Sequence, residues 1–200
     1  VGFAHQHGVL HRDLKPSNLI VTPHGEPFVI DWGLACRIEN VERSGRGGTM
    51  GYLAPECMRG ATCIGPPSDV YSLGAILYEI LTLQMPAGSD SPAECADRTL
   101  HGDIEPLDPS RVWAPLVPLV TRCLALDPAD RFADANAVAD ELEDVLEGRS
   151  SLRDFVIVDA RHDTPEDTPL VVEGQVTRDD GSWLVAPGSG LRTTSAMSGE

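Results

Sequence analysis

Lysine is nearly absent from this chain. Of the 15 Lys and Arg side chains in 200 residues, Lys15 is the single lysine, and the rest are arginine. A coding bias toward arginine explains the others, but a lysine kept at one position marks a place that needs a compact, rotatable point charge instead of a planar fork. Basic charge is scarce altogether: 15 Lys and Arg stand against 31 Asp and Glu, a formal net charge of −16 with a pI near 4.6. A surface of that sign repels phosphate backbones and anionic headgroups, so neither nucleic acid nor a lipid surface is an expected partner. Long apolar runs are missing too. The most apolar stretch, around Leu73 to Leu81, is interrupted by Tyr78 and Glu79 and falls short of the roughly 18 residues that span a bilayer. The N-terminal stretch has no basic flank, so no secretory signal is expected. The cysteines Cys36, Cys57, Cys63, Cys95 and Cys123 are odd in number and show no C-x-x-C pairing. That pattern argues against a disulfide framework and a zinc site, and predicts reduced thiols and a cytoplasmic location.

What the chain does have is the run His11-Arg12-Asp13-Leu14-Lys15-Pro16-Ser17-Asn18, then Asp31-Trp32-Gly33, then Ala54-Pro55-Glu56. Phosphoryl transfer needs a group that orients the attacking hydroxyl and takes its proton, a cation beside the transferring phosphoryl group, and ligands for metal ions that bridge the phosphates. Asp13 suits the first task, Lys15 the second, and Asn18 with Asp31 the third. Each residue alone is ordinary, since a lone Asp is usually a turn or cap and a lone Lys is usually solvated. Their order and spacing carry the signal. Gly45-Arg46-Gly47-Gly48-Thr49-Met50 superficially matches a phosphate-cradling loop, but Met50 stands where the last glycine is required, and no strand and helix flank it. It is read as backbone freedom.

The organisation follows from periodicity and turn residues. Residues 1–8 read as the end of a helix that stops at Gly8. Leu19 to Val21 and Phe28 to Ile30, joined by a Pro23-His24-Gly25 turn, read as a hairpin with Asn18 at its start and Asp31 at its end. Residues 33–49 are polar and read as an adjustable loop. Asp69 to Leu81 reads as a helix buried on every side, with Ser68 or Asp69 as its cap. Further helices are expected over Trp113 to Leu126 and over Ala133 to Leu146, where Asp140, Glu141, Glu143 and Asp144 form a solvated face. After Gly148 the composition turns to Asp, Thr, Pro, Gly and Ser. Short strands are expected there at Phe155 to Val158, Leu170 to Val172 and Trp183 to Val185, with a hairpin turn at Asp179-Asp180-Gly181 and a disordered final dozen residues.

In combination the three motifs resemble those of the eukaryotic-like (Hanks-type) serine/threonine protein kinases, over roughly residues 1–147. The resemblance implies a mainly α fold, a kinase C-lobe with a small β-hairpin carrying the metal ligands and an irregular C-terminal tail. It places a partial kinase domain at 1–148 and a linker or tail at 149–200. It further implies ATP and Mg²⁺ as cofactors, a protein substrate, and Ile20 beside Lys15, Asn18 and Asp31 on the nucleotide side. By the same resemblance Arg12 would hold a phosphate on the activation segment, with Ser44 as the favoured acceptor. Thr49 would hydrogen-bond Asp13 and Lys15, Glu56 would pair with Arg131, and Asp69 would brace the catalytic-loop backbone. His11 is expected to pack and hydrogen-bond in the core. Trp32 takes the place of the usual Phe and supplies an equivalent aromatic. The glycine loop, strand lysine and helix glutamate of the family's N-lobe have no counterpart in these residues. The chain by itself is therefore expected to be inactive, as the C-terminal part of a kinase. The rival reading is a catalytically dead docking or scaffold module.

Overall fold

One helix organises the first unit of the protein. The computed structural model describes residues 1–43, 47–60, 64–88 and 91–149, together with strand segments 156–159, 170–172, 176–179, 182–185 and 191–193. It divides the chain into two compact units, residues 1–149 and 150–200. The organising helix, α3, runs Pro66–Thr82. Pro66 and Pro67 sit in its first turn, where a missing N–H costs nothing and the fixed φ is already helical. The start therefore lies ahead of the expected one, with Gly65 as the cap residue and Ser68 Oγ accepting the Gly65 N–H at 3.4 Å. Ser68 and Asp69, expected as caps, stand inside the helix, which releases the Asp69 carboxylate for another task. Val70, Tyr71 and Ala75 are at most 1% exposed, whereas Ile80 is 65% exposed. The expectation of burial on every side thus holds for the early turns and fails at the last.

The other helices pack around α3. In chain order α1 is Gly2–Gln6, α2 is Pro55–Arg59, α4 is Pro92–His101, α5 is Val117–Cys123 and α6 is Ala135–Glu147. The contact of α3 with α5 is close enough that a Cβ added at Gly74 would lie 2.5 Å from Cys123 Cβ, so only glycine lets the two helices meet there. The single helix expected over Trp113 to Leu126 is instead a 3₁₀ turn, Ala114–Leu116, followed by α5. Pro115 and Pro118 each occupy the opening turn of one piece, because proline is tolerated at a helix start and not in its interior. The start of α6 shifts to Ala135 because Asp134 caps it, its Oδ1 accepting the Asn136 and Ala137 N–H groups at 2.8 and 3.0 Å. Sequence reasoning had no element at α4, although Ser91-Pro92-Ala93-Glu94 carries a capping pattern; Ser91 Oγ accepts the Glu94 N–H at 3.4 Å.

Short strands complete the unit. β1 (Val9–Leu10) pairs antiparallel with β4 (Cys36–Arg37), Leu10 opposite Cys36. β2 (Leu19–Val21) pairs with β3 (Pro27–Val29), Leu19 opposite Val29. The adjustable loop expected over 33–49 is largely structured: 3₁₀ turns occupy Trp32–Leu34 and Ile38–Arg43, with β4 between them. Backbone pairing to β1 and burial of Val41 account for the order.

Among its described residues the second unit holds five strands, β5 (Val156–Asp159), β6 (Leu170–Val172), β7 (Val176–Asp179), β8 (Ser182–Val185) and β9 (Leu191–Thr193). They form a three-stranded antiparallel sheet in the order β5-β8-β7 and a separate pair, β6 with β9. β7 was not expected, and β9 falls within the dozen residues expected to be disordered; its backbone finds a partner in Leu170–Val172. Asp179 stands opposite Ser182, while Phe155, Asp180 and Gly181 lie outside the described residues. Among the described residues no helix is long and apolar enough to cross a membrane.

Candidate active site

The loop that carries Asp13 is fixed from beneath by α3. Asp69, 1% exposed, accepts the His11 N–H on Oδ2 at 2.8 Å and the Arg12 N–H on Oδ1 at 2.9 Å. Two backbone donors that the loop would otherwise bury unpaired are thereby satisfied. The same carboxylate meets His5 Nε2 at 3.0 Å, and His5 Nδ1 accepts the Ala135 N–H at 3.2 Å. Because Nδ1 is an acceptor, the ring proton resides on Nε2 and is donated to Asp69. His5 thus ties α1, α3 and the start of α6 to the loop. Arg12 adopts φ 69°, a left-handed conformation that costs a non-glycine residue about 1–2 kcal/mol and is retained here by the N–H bond to Asp69.

His11 is fully buried and works sideways. Its Nδ1 accepts the Asp13 N–H at 3.3 Å, and its Nε2 donates to Ile30 O at 3.1 Å. The Trp32 ring meets it edge-on, the centroids 4.6 Å apart. The loop is tied in this way to the residue just before Asp31. A second tie comes from the hairpin, where Ile30 N–H donates to Asn18 O at 2.9 Å. Asn18 and Asp31 are consequently held at the same end of the β2–β3 ladder. Asp31 has φ 57° and accepts the Gly33 N–H on Oδ1 at 3.3 Å.

At the centre three side chains close a triangle. Lys15 Nζ donates to Asp13 Oδ2 and to Thr49 Oγ1, both at 2.8 Å, and Thr49 Oγ1 donates to Asp13 Oδ1 at 2.7 Å. Asn18 Nδ2 donates to Asp13 O at 2.8 Å. Burial acts to raise the Asp13 carboxyl, but hydrogen bonds from Lys15, Thr49 and Asn18 and the Lys15 charge outweigh it and hold the group below its ordinary value. Asp13 is thus an anion with every neighbour aimed at its charged form. Thr49 reaches it because Gly48, at φ 126°, has no Cβ: one placed there would lie 2.6 Å from Leu53 Cδ1 and 3.0 Å from Arg12 O. Sequence reasoning took Gly45, Gly47 and Gly48 as flexibility, whereas Gly48 is required for close approach; Gly45 lies outside the described residues.

A family model of the protein kinase domain matches residues 1–142. The chain belongs to the protein kinase domain family. Among curated relatives, it is 37% identical over 169 residues to serine/threonine-protein kinase PknB of Mycolicibacterium smegmatis, covering 80% of this chain and 27% of that protein. It is 34% identical over 178 residues to serine/threonine-protein kinase PknD of Protochlamydia amoebophila, covering 75% and 18%. With serine/threonine-protein kinase PknL of Mycobacterium tuberculosis it shares 32% identity over 182 residues, covering 88% and 45%. The chain spans about a quarter of the length of the PknB proteins it matches.

Around the centre of this kinase domain, the remaining predicted residues fall in three places. Glu56, at 4% exposure, and Arg131, at 3%, form a bidentate pair, Nη1 to Oε1 and Nη2 to Oε2 both at 2.9 Å. Arg131 also donates to Ala125 O, Pro67 O and Leu126 O, and its guanidinium lies 4.9 Å from the Tyr71 ring centroid. Ser68 Oγ adds a bond to Glu56 Oε1 at 2.7 Å, so the buried pair has its spare lone pairs and protons used. Ile20, by contrast, is 48% exposed beside exposed Val21 and Phe28. Arg12 Nη1 donates to Leu34 O at 3.4 Å, and Ser44, the favoured phosphate acceptor, lies outside the described residues.

Sequence reasoning missed His5, the bond from Ser68 to Glu56 and the Tyr52–Glu79 contact, in which the Tyr52 hydroxyl donates to Glu79 Oε2 at 2.6 Å. Burial and the Glu79 carboxylate push the Tyr52 hydroxyl well above its ordinary value. Nothing local in the sequence marks these residues, since their partners are distant along the chain. Burial also pushes the Cys57 thiol up to about 11 and the Cys123 thiol up to about 12, so neither is a thiolate nucleophile at neutral pH.

Proposed function

We propose that this domain transfers the γ-phosphoryl group of ATP to serine or threonine hydroxyls of protein substrates. The observation that carries the reading is the Asp13–Lys15–Thr49 triangle. Thr49 donates an aliphatic hydroxyl to Asp13 Oδ1 at 2.7 Å, so this carboxylate already receives an alcohol of the kind a Ser or Thr substrate presents. Carboxylate oxygens have about four lone-pair sites in all, and Asp13 retains capacity to orient a second hydroxyl and accept its proton as the new P–O bond forms. Lys15 has three donors; two serve Asp13 and Thr49, and the third is directed to the transferring phosphoryl group. An arginine could not reproduce that set from one point.

The donor set fits a magnesium nucleotide. Mg²⁺ binds through one or two protein oxygens plus substrate phosphates instead of an all-protein cage. Asp31 offers a carboxylate, and Asn18, with its amide nitrogen committed to Asp13 O, offers the amide oxygen. When bound, Mg-ATP would supply the phosphoryl group and positive charge to offset the charge of the phosphates. The exposed face of Ile20 is assigned to the nucleotide base. Glu56, Arg131 and Asp69 hold the architecture, and Arg12 and the segment around Ser44 receive a regulatory phosphate. Residues 1–148 form the C-lobe part of the kinase domain, and 149–200 form a separate tail. The family names of PknB, PknD and PknL as serine/threonine kinases support the choice of acceptor.

Catalysis also requires a glycine-rich lid and a nucleotide-gripping lysine, which these 200 residues do not contain. The test therefore joins the chain to the nucleotide-binding lobe of the Mycolicibacterium smegmatis PknB. Mg²⁺-dependent formation of phosphoserine or phosphothreonine on a general protein substrate is the expected result. Absence of transfer by a folded, ATP-binding protein would favour the docking module, and phosphotyrosine as the main product would overturn the acceptor assignment.

A further inference from the structure

We propose that Thr49 is an inhibitory modification site: a phosphoryl group placed on its Oγ1 switches the centre off. This rests on the reading of Asp13 as the catalytic carboxylate. The hydroxyl of Thr49 is used twice, as donor to Asp13 Oδ1 at 2.7 Å and as acceptor from Lys15 Nζ at 2.8 Å. Phosphorylation removes the donor outright. It also sets an added charge of about −1.5 to −2 one bond from an atom in hydrogen-bond contact with a carboxylate. The side chains of Asp13 and Lys15 are 10% and 24% exposed, so water screens the repulsion only in part.

The segment cannot simply carry the phosphate away. Gly48 packs where a Cβ would lie 3.0 Å from Arg12 O, and Thr49 O accepts the Tyr52 and Leu53 N–H groups at 3.2 and 3.1 Å. A phosphorylated Thr49 either stays against Asp13 or breaks that turn, and both outcomes disable the centre. Lys15, the single lysine of the chain, is drawn from the transferring phosphoryl group to the resident one. An activating phosphate needs the opposite setting, away from Asp13 and beside a cation that is not part of the catalytic triangle. The modification itself is ordinary kinase chemistry. The β,γ P–O bond of a nucleoside triphosphate breaks as the bond to Thr49 Oγ1 forms, and the hydroxyl proton passes to the base of the serine/threonine kinase acting in trans.

The test installs phosphothreonine at position 49 by genetic encoding in the chain joined to the PknB nucleotide-binding lobe. The expected result is a phosphotransfer rate about 100-fold or more below that of the unmodified protein, restored by phosphatase treatment. Equal rates in the two forms would overturn the inference and leave the proposed function standing. If the unmodified protein itself transfers nothing, the proposed function fails and the inference that rests on it fails with it.

Discussion

The two sides of the centre are built by different forces. On the acceptor side, the loop that carries Asp13 and Lys15 rests on Asp69, a side chain 1% exposed that comes from a distant part of the chain, and Thr49 closes on Asp13 from far along the sequence. On the hairpin side, Asp31 is positioned by backbone pairing between neighbouring strands, and Ile20, Val21 and Phe28 are 48%, 66% and 53% exposed. The first side is paid for by tertiary hydrogen bonds and is coupled to global stability; the second is local. Damage beneath the acceptor side should therefore unfold the domain, and damage at Asp31, at the open end of the hairpin, should leave a folded domain that cannot work.

The largest effect is expected where the buried polar frame is broken. Arg131→Ala leaves Glu56 charged and unpaired at 4% exposure and should lower stability by about 3–5 kcal/mol, read as a fall in the urea midpoint. Asp69→Ala strips acceptors from His11 N–H, Arg12 N–H and His5, at about 1–3 kcal/mol for each unsatisfied group. Denaturation of this variant alongside Asp69→Asn, which keeps one acceptor oxygen, should give the milder loss for Asn. Equal stability of Asp69→Ala and wild type would erase the contrast between the two sides. Gly74→Ala drives a methyl into Cys123 and should cost about 1–3 kcal/mol, without touching either side of the centre.

Smaller effects sharpen the comparison. The Asp13 carboxyl lies below its ordinary value of 3.8 in the folded protein. Its contribution to stability is therefore fully present above that ordinary value and is lost as pH falls through the lowered folded value. Thr49→Val removes one of the lowering hydrogen bonds, so Asp13 should titrate at higher pH and its contribution should disappear earlier on acidification. Carboxyl ¹³C titration reads the shift directly, and no movement of Asp13 would count against the triangle. Solvent reaches this group, so the change in stability should be slight. At the open end of the hairpin, Asp31→Asn keeps an acceptor for Gly33 N–H and a residue that tolerates left-handed backbone. Its stability should stay within about 0.5 kcal/mol of wild type, while Mg²⁺-dependent transfer by the joined kinase collapses.

Much of this was legible because kinase chemistry compresses its reacting groups into a short run. Asp13, Lys15 and Asn18 fall within one loop, and the hairpin from Leu19 to Val29 follows from its β-branched residues and its Pro23-His24-Gly25 turn. The buried helix was visible in its apolar composition, but its first turn was not, since Pro66 and Pro67, favoured openers, stand ahead of the apolar run. The adjustable loop concealed β4 because a two-residue strand has no period to detect, and its partner Leu10 is remote in sequence. The roles of His5 and Ser68 were not legible, because their partners Asp69, Ala135 and Glu56 come against them only when the helices pack. Gly48 was misread because a glycine needed for a close approach and one needed for freedom look identical in a sequence.

On the proposed function, Asp13, held as an anion by Lys15 and Thr49, orients and deprotonates the hydroxyl that attacks ATP. Single-turnover phosphotransfer by the chain joined to the PknB nucleotide-binding lobe, compared between wild type and Asp13→Asn, tests it most directly. Asn keeps the size of the side chain and loses the base, so the rate of the chemical step should fall about 100-fold or more while ATP affinity is retained. A wild-type rate in Asp13→Asn, with the protein folded and nucleotide bound, would contradict the account.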